Sequence, residues 1–172
     1  MTRSAARQDA APASKSAEAV AGGRRRRIVV GVDGSPESGA ALGWAIELAR
    51  DLEAEVVAVH ALDTDLAAYL TQQVGTRFRP GEWEARIRRD FSEQWCAPLR
   101  EAGIPHREQV VKGVPAKVLT RVATRLSAEL VVVGRRGRRG VAGLLLGSVA
   151  AELARESEVP VVVFPDRVSP ST

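Results

Sequence analysis

The glycines and the hydroxyl group between residues 134 and 148 have the types and spacing of a phosphate-binding loop. Gly134 follows an apolar run, Gly137 comes three positions later, and Gly147-Ser148 precedes a helical pattern. Glycine can adopt positive φ and has no Cβ to keep a phosphate oxygen away from backbone N–H groups. A helix start presents unsatisfied N–H groups and a positive dipole end, which favour an anion. We therefore expect a strand that leads through glycines to a hydroxyl-capped helix, with a phosphate bound between them.

Other signatures of enzymes are missing. The sequence has neither G-x-x-x-x-G-K-(S/T) nor a G-x-G-x-x-G after its first apolar run, which disfavours P-loop and dinucleotide enzymes. Its two histidines, His60 and His106, form no metal-binding or catalytic pattern, so we expect no catalytic residue and no metal site. His60 is expected to pack in the interior and donate to a carbonyl. The single cysteine, Cys96, suits a reducing cytoplasm and is expected to be buried on a helix.

Strand and helix patterns alternate along the chain. Apolar runs typical of buried strands occur at residues 28–32, 55–61, 109–111, 130–134 and 159–164. Helical patterns occupy residues 36–49, 87–99, 116–126 and 148–156. Ser35 is the expected N-cap of the first, with Pro36 at its first helical position. Residues 63–81 have no clean period and are predicted to contain a mobile loop.

This alternation predicts an α/β fold, a doubly wound five-stranded parallel sheet that is flavodoxin-like or Rossmann-like. Such sheets bind ligands outside the carboxyl ends of their strands, where the strand order reverses. Asp33 follows the first strand and Gly134 ends the fourth. We therefore expect these two residues to meet at the binding edge.

Charge is distributed unevenly along the chain. Residues 1–27 carry a net charge of +5, whereas the rest carries −1. We predict a disordered basic N-terminal tail over 1–27, a single domain over 28–165 and a short C-terminal tail over 166–172. No apolar run reaches the length of a membrane span and the N-terminus lacks a secretory apolar region, so we expect a cytoplasmic protein with no membrane partner.

The pattern Gly134-x-x-Gly137-x9-Gly147-Ser148 resembles that of the universal stress protein family, in its ATP-binding branch. Four more segments resemble the family in the same order, and the likeness spans about residues 27–165. They are the first strand and turn at 28–35, the second strand at 56–61, the turn at 112–116 and the final strand at 159–163.

The resemblance implies a Rossmann-like domain of the adenine-nucleotide alpha hydrolase type that binds ATP with Mg²⁺. It implies that Asp33 contacts the ribose or the adenine end and that the Ala61 backbone meets the adenine edge. The ribose and phosphates would be bound by Gly134, Gly137, Gly147 and Ser148, assisted by the Val149 N–H. The Ser148 hydroxyl would donate to a phosphate or ligate Mg²⁺. The family also implies a homodimer through residues 159–164, whose apolar strand has no charge to protect an exposed edge.

The loop departs from the family at Arg135 and Arg136, because a small hydroxyl residue more often follows the first glycine there. These arginines would crowd the ribose, clamp the phosphates or lie in a solvated basic loop. All three interpretations remain open from the sequence.

Three functions are compatible with these observations. The first is a nucleotide-dependent stress-response regulator, and the second is a slow ATPase or nucleotide hydrolase that uses Asp33 and a Mg²⁺-bound water. The third is a binder of nucleic acid or anionic surfaces through residues 24–27 and 135–139. We favour the first and expect nucleic acid to bind only non-specifically, through the tail.

Overall fold

The computed structural model describes residues 25–74, 79–137 and 146–165, except the side chains of Thr64, Leu66, Ala67, Leu70 and Val74. Residues 1–24 of the predicted N-terminal tail and the whole predicted C-terminal tail, 166–172, therefore lie outside the described residues. Arg138 and Arg139 of the basic loop also lie outside them.

Five parallel strands form one sheet in the order β3-β2-β1-β4-β5. They are β1 (Arg27–Gly31), β2 (Glu55–Leu62), β3 (His106–Lys112), β4 (Leu130–Gly134) and β5 (Val161–Phe164). The order reverses between β1 and β4, so the predicted doubly wound sheet is confirmed. The ends of β1 and β4 are neighbours, as the positions of Asp33 and Gly134 required.

Helices cover both faces of the sheet. They are α1 (Pro36–Asp51), α2 (Thr64–Val74), α3 (Pro80–Asp90), α4 (Ala97–Ala102), α5 (Pro115–Leu126) and α6 (Ser148–Glu156). On one face of the sheet, α1 and α4 form an apolar core together with Phe91 and Cys96, which lie between α3 and α4. On the other face, α5 and α6 form a second apolar core. Both faces of the central strands are buried, which explains their continuous apolar sequence.

The connection over 63–81 contains a helix that the sequence analysis did not predict, α2 at Thr64–Val74. Residues 75–78 lie outside the described residues, so the mobile loop stays a prediction. Asp63 precedes this helix, and its Oδ1 accepts a hydrogen bond from the Asp65 N–H at 3.1 Å. Side chains along α2 are largely exposed where they are described, with Tyr69 57% exposed. Leu66, Leu70 and Val74 recur at every fourth position, which is a helical spacing and was a usable signal for this helix.

The predicted helix over 87–99 is interrupted. After α3, one π-helical turn occupies Phe91–Trp95, in which the Cys96 N–H donates to the Phe91 carbonyl at 2.9 Å. Pro98 lies at the start of α4 and has no N–H to continue the earlier helix. Phe91 and Leu99 still point into the core. Apolar spacing alone could not reveal this change in winding.

Several strand boundaries also differ from prediction, most of all the starts of β3 and β5. β3 begins at His106, because its polar first half pairs with β2 from Val56 onward. β5 begins at Val161 rather than Val159, since Ser157 Oγ accepts from the Val159 N–H at 3.2 Å in the preceding turn.

Arg27 is the first residue of β1, although the tail was predicted to extend through residue 27. Arg27 pairs with Glu55 in the β1–β2 register, and its Nε lies 3.3 Å from Glu55 Oε2. Its Nη1 donates to the Leu126 carbonyl at 2.9 Å. Glu55 is 7% exposed and also accepts from Arg107 at 2.7 Å. A carboxylate buried to this extent requires compensating cations. Arg27 and Arg107 are those cations, and the pairing with Glu55 holds Arg27 in the sheet.

Candidate functional site

A cavity of about 750 Å³ opens at the carboxyl ends of β1, β2 and β4. Its size is in the range of small-molecule sites. All nine residues that the sequence predicted for binding line it: Asp33, Ala61, Gly134, Arg135, Arg136, Gly137, Gly147, Ser148 and Val149. The tertiary structure thus brings together residues separated by more than a hundred positions.

A hydrogen-bond network fixes Asp33 at the end of β1. Its Oδ1 accepts from the Ser35 N–H at 3.0 Å and from the Ser35 hydroxyl at 2.6 Å. Ser35 is the N-cap of α1, as predicted, and its Oγ also accepts from the Ser38 N–H at 3.1 Å. The start of α1 therefore sets the orientation of the Asp33 carboxylate in the cavity.

Gly137 brings the loop after β4 against this carboxylate. A Cβ at residue 137 would lie 2.5 Å from Asp33 Oδ2, closer than side-chain atoms approach one another. Gly147 is similarly confined, since a Cβ there would lie 3.1 Å from the Arg135 carbonyl oxygen. The Gly147 N–H donates to that same oxygen at 2.9 Å. Both ends of the glycine loop are therefore tied to the cavity wall.

Gly134 has a packing role that sequence reasoning missed. A Cβ there would lie 2.9 Å from the Glu37 carbonyl carbon and 3.0 Å from the Ser38 nitrogen. The first turn of α1 therefore packs directly on the end of β4. This contact requires glycine at residue 134 whether or not a phosphate binds nearby.

The start of α6 differs from the predicted hydroxyl cap. The N-cap is Gly147, which has extended φ and ψ and provides no side-chain hydrogen bond. Ser148 is the first helical residue and is exposed. Because glycine has no side-chain acceptor, the cap position leaves the first-turn N–H groups without the usual serine or threonine partner. Ser148 and Val149 both line the cavity at this helix start.

Arg135 and Arg136 are half-buried in the cavity wall. The Arg135 backbone is bonded on both sides, because its N–H donates to the Phe164 carbonyl at 2.8 Å and its carbonyl accepts from Gly147. A fully solvated loop is therefore wrong for these two residues. Whether they crowd a ribose or clamp phosphates stays a prediction.

His60 is buried near the end of β2 and packs as predicted. Its Nδ1 lies 2.7 Å from the Val32 carbonyl oxygen, which can only accept, so Nδ1 carries the proton. The ring contacts Trp95 with a centroid distance of 5.2 Å. His60 thus links the ends of β1 and β2, where Ala61 also lines the cavity.

One wall of the cavity was missed by sequence reasoning. It consists of Trp83, Arg86, Ile87 and Asp90 on α3. Their spacing of three and four residues places them on one helix face. That spacing was a usable signal, but the helical pattern was predicted only over residues 87–99, which leaves out Trp83 and Arg86.

Candidate metal ligands are sparse at the site. Within the ranges that the structure describes, no group of three or more His, Cys, Asp or Glu side chains could bind a metal ion.

The same ranges contain no helix long and apolar enough to cross a bilayer.

Comparison with known proteins finds a family profile and individual relatives that all belong to one family. Residues 24–165 match the profile of the Universal stress protein family. Universal stress protein MJ0531 of Methanocaldococcus jannaschii is 28% identical over 144 residues, which cover 80% of this chain and 81% of that protein. Universal stress protein Rv2623 of Mycobacterium tuberculosis is 37% identical over 145 residues, 79% of this chain and 44% of that protein. The chain therefore spans about half the length of this mycobacterial relative.

A solved structure is also similar. The crystal structure of a universal stress protein in complex with cAMP matches with a TM-score of 0.61 and 30% identity. The match covers 83% of this chain and 98% of that one.

Proposed function

This chain belongs to the universal stress protein family, and from that premise we propose that it is a cytoplasmic ATP-binding regulator of the stress response. In this proposal the bound nucleotide controls contacts with a partner or a second copy. The observation that carries the proposal is the cavity at the switch point, which is lined by every residue predicted for nucleotide binding.

The order of the strands supports one orientation of the nucleotide. Asp33 follows β1, the central of the three strands whose ends flank the cavity, with Ala61 on the β2 side and the glycine loop on the β4 side. Neighbouring strands are about 4.8 Å apart. We infer that the base lies near Ala61, the ribose near Asp33 and the phosphates near Gly137 and Ser148.

The chemistry of each end suits this orientation. The fixed Asp33 carboxylate can accept hydrogen bonds from ribose hydroxyl groups. The α6 start offers backbone N–H groups and a dipole that stabilises an anion by about 0.3–1 kcal/mol when exposed. Arg135 and Arg136 add positive charge in the same wall. Either guanidinium group would donate two parallel hydrogen bonds to a phosphate.

The residues present suit a Mg²⁺ ion only as a companion of the phosphates. Ser148 offers a hydroxyl oxygen, and Mg²⁺ is commonly bound through few protein ligands plus substrate phosphates. The ion would neutralise phosphate charge, and Ser148 is the residue that would ligate it.

The solved universal stress protein with cAMP supports an adenine nucleotide as the ligand class here. We test the proposal by identifying nucleotide released from the purified protein by mass spectrometry and by titrating ATP, ADP, AMP and cAMP calorimetrically. We expect micromolar affinity for ATP with Mg²⁺, or about −8 kcal/mol. Millimolar or weaker binding of all four nucleotides would refute the proposal.

Hydrolysis is less well supported than binding. Asp33 is the carboxylate that the sequence suggested as a base, but Ser35 donates two hydrogen bonds to its Oδ1. These two bonds occupy Oδ1 and fix the direction of the carboxylate, which suits a residue that positions a ligand. We therefore propose that Asp33 positions the nucleotide.

We also propose a homodimer through residues 159–164. β5 is a terminal strand of the sheet, and its four residues are only partly buried. Val159, Val161 and Val163 line a shallow cleft of about 380 Å³ beside it. A second copy would cover this apolar edge, which otherwise exposes strand N–H and carbonyl groups.

A further inference from the structure

The α3 wall of the cavity contains an aromatic side chain to which no role has been given. Trp83 is half-buried and lines the cavity with Arg86, Ile87 and Asp90. Ile87 is 6% exposed and anchors the helix to the domain. Trp83 therefore lies on the same helix face as Ile87, and this face is directed toward the cavity.

An ion pair shows which end of the cavity Trp83 occupies. Glu84, the next residue, lies 2.8 Å from Lys112 Nζ through its Oε2 and 2.9 Å from Arg88 through its Oε1. Lys112 ends β3 and is paired in register with Leu62 of β2. These contacts, chiefly that with Lys112, lower the pKa of Glu84, so the carboxylate is charged at neutral pH. The start of α3 is therefore fastened to the β2–β3 side of the sheet.

The phosphate-binding loop lies at the opposite end. It follows β4, which is three strand positions from β3 in the sheet, or about 14 Å at the usual spacing. With the phosphates at the α6 start and the ribose at Asp33, the remaining part of a nucleotide is its base. The base then extends toward β2, where Ala61, Asp63 and Trp83 line the cavity.

We propose that the indole of Trp83 stacks on the base of the bound nucleotide, an inference that rests on the proposed function. An aromatic ring favours any base through its π-face. Selection of adenine would then depend on hydrogen bonds at the base edge. Trp83 is thus an affinity-determining residue of the base subsite.

The distribution of tryptophans makes this contact measurable. The other two tryptophans pack within the protein: the Trp44 ring lies 6.2 Å from Phe164, and the Trp95 ring lies 5.2 Å from His60. Neither is among the residues that line the cavity. Base stacking should therefore quench the fluorescence of Trp83 selectively.

The test compares a ligand with a base and one without. AMP and ribose 5-phosphate are titrated into wild type, Trp83→Leu, Trp83→Phe and the matched control Trp44→Phe, with circular dichroism to verify folding. We expect Trp83→Leu to weaken AMP about 5- to 100-fold and to leave ribose 5-phosphate within about twofold. Trp83→Phe should recover most AMP affinity. AMP, but not ribose 5-phosphate, should quench fluorescence in wild type and Trp44→Phe.

Three outcomes would overturn the inference. If Trp83→Leu binds AMP as wild type does, the indole does not contribute to base binding, although the proposed function stands. If both ligands weaken equally, Trp83 acts on the shape of the whole site rather than on the base. If wild type binds no nucleotide, both this inference and the proposed function fail.

Discussion

Gly137 lies against Asp33 so closely that a Cβ at residue 137 would be 2.5 Å from Asp33 Oδ2. This approach joins the end of β1 to the loop after β4 across the reversal of strand order. The missing side chain at one residue thus determines where the carboxylate of the other can lie. The site can be tested at this contact with small substitutions.

We expect Gly137→Ala to weaken ATP binding at least tenfold, because the added methyl group displaces the Asp33 carboxylate. Gly137→Val combined with Ser148→Ala should weaken it further. Calorimetry measures both. Gly39→Ala is the matched control, since a Cβ there meets nothing within 4 Å and alanine should stabilise α1 by about 0.5–1 kcal/mol. Equal ATP affinity in wild type and the double variant would exclude this loop as the phosphate site.

We expect Asp33→Ala to reduce affinity for adenosine nucleotides while the fold persists. The substitution also removes the acceptor of two hydrogen bonds from Ser35, so the free energy of unfolding should fall by about 1–3 kcal/mol. Calorimetry and urea unfolding measure the two effects separately. Loss of a turnover faster than about one per second in this variant would instead favour an enzyme.

We expect Val163→Lys to convert a dimer into monomers. Val163 is partly buried beside the cleft at β5, and a charge there opposes coverage by a second copy. Light scattering at tens of micromolar measures the mass, and Thr124→Lys on the exposed surface of α5 is the control. A wild-type monomer under these conditions would contradict the dimer.

We expect the Cys96 thiol to be unreactive in the folded protein. Burial is the main cause that raises its pKa to about 12, so almost no thiolate forms at neutral pH. Thiol reagents at pH 8 should modify it only in urea. Because the folded state retains the proton more tightly, the contribution of this group to stability is present below pH 9 and lost as the pH rises toward 12. Rapid native modification would show that the thiol is accessible.

We expect DNA binding, where it occurs, to require the basic tail and to fall steeply with salt. Deleting residues 1–23 and changing residues 24–26 to Gln should abolish it in a filter-binding assay. Nucleotide affinity and thermal stability should change little. Arg27 is left intact, because it pairs with buried Glu55 and Arg27→Gln should itself destabilise the domain. DNA binding by this tailless variant that ATP displaces would relocate the nucleic-acid site to the cavity.

Local patterns in the sequence determined most of the fold. Continuous Val-rich runs predicted buried parallel strands, and Ser35-Pro36 predicted the start of α1, because capping and burial depend on neighbouring residues. Strand alternation also predicted that Asp33 and Gly134 would share an edge. Two features escaped prediction: α2, although Leu66, Leu70 and Val74 recur at helical spacing, and the π-helical turn at Phe91–Trp95.

Only the tertiary structure could decide why particular residues occupy the site. Gly134 is required by the approach of Glu37 and Ser38, and Gly137 by the approach of Asp33. Trp83 lines the cavity from a helix whose Ile87 is buried and whose Glu84 pairs with Lys112. These contacts join residues 28 to 104 positions apart, and nothing in the local sequence encodes such distances. The sequence by itself determined the elements and the edge where a ligand would bind, whereas packing between distant elements decided the shape of the site.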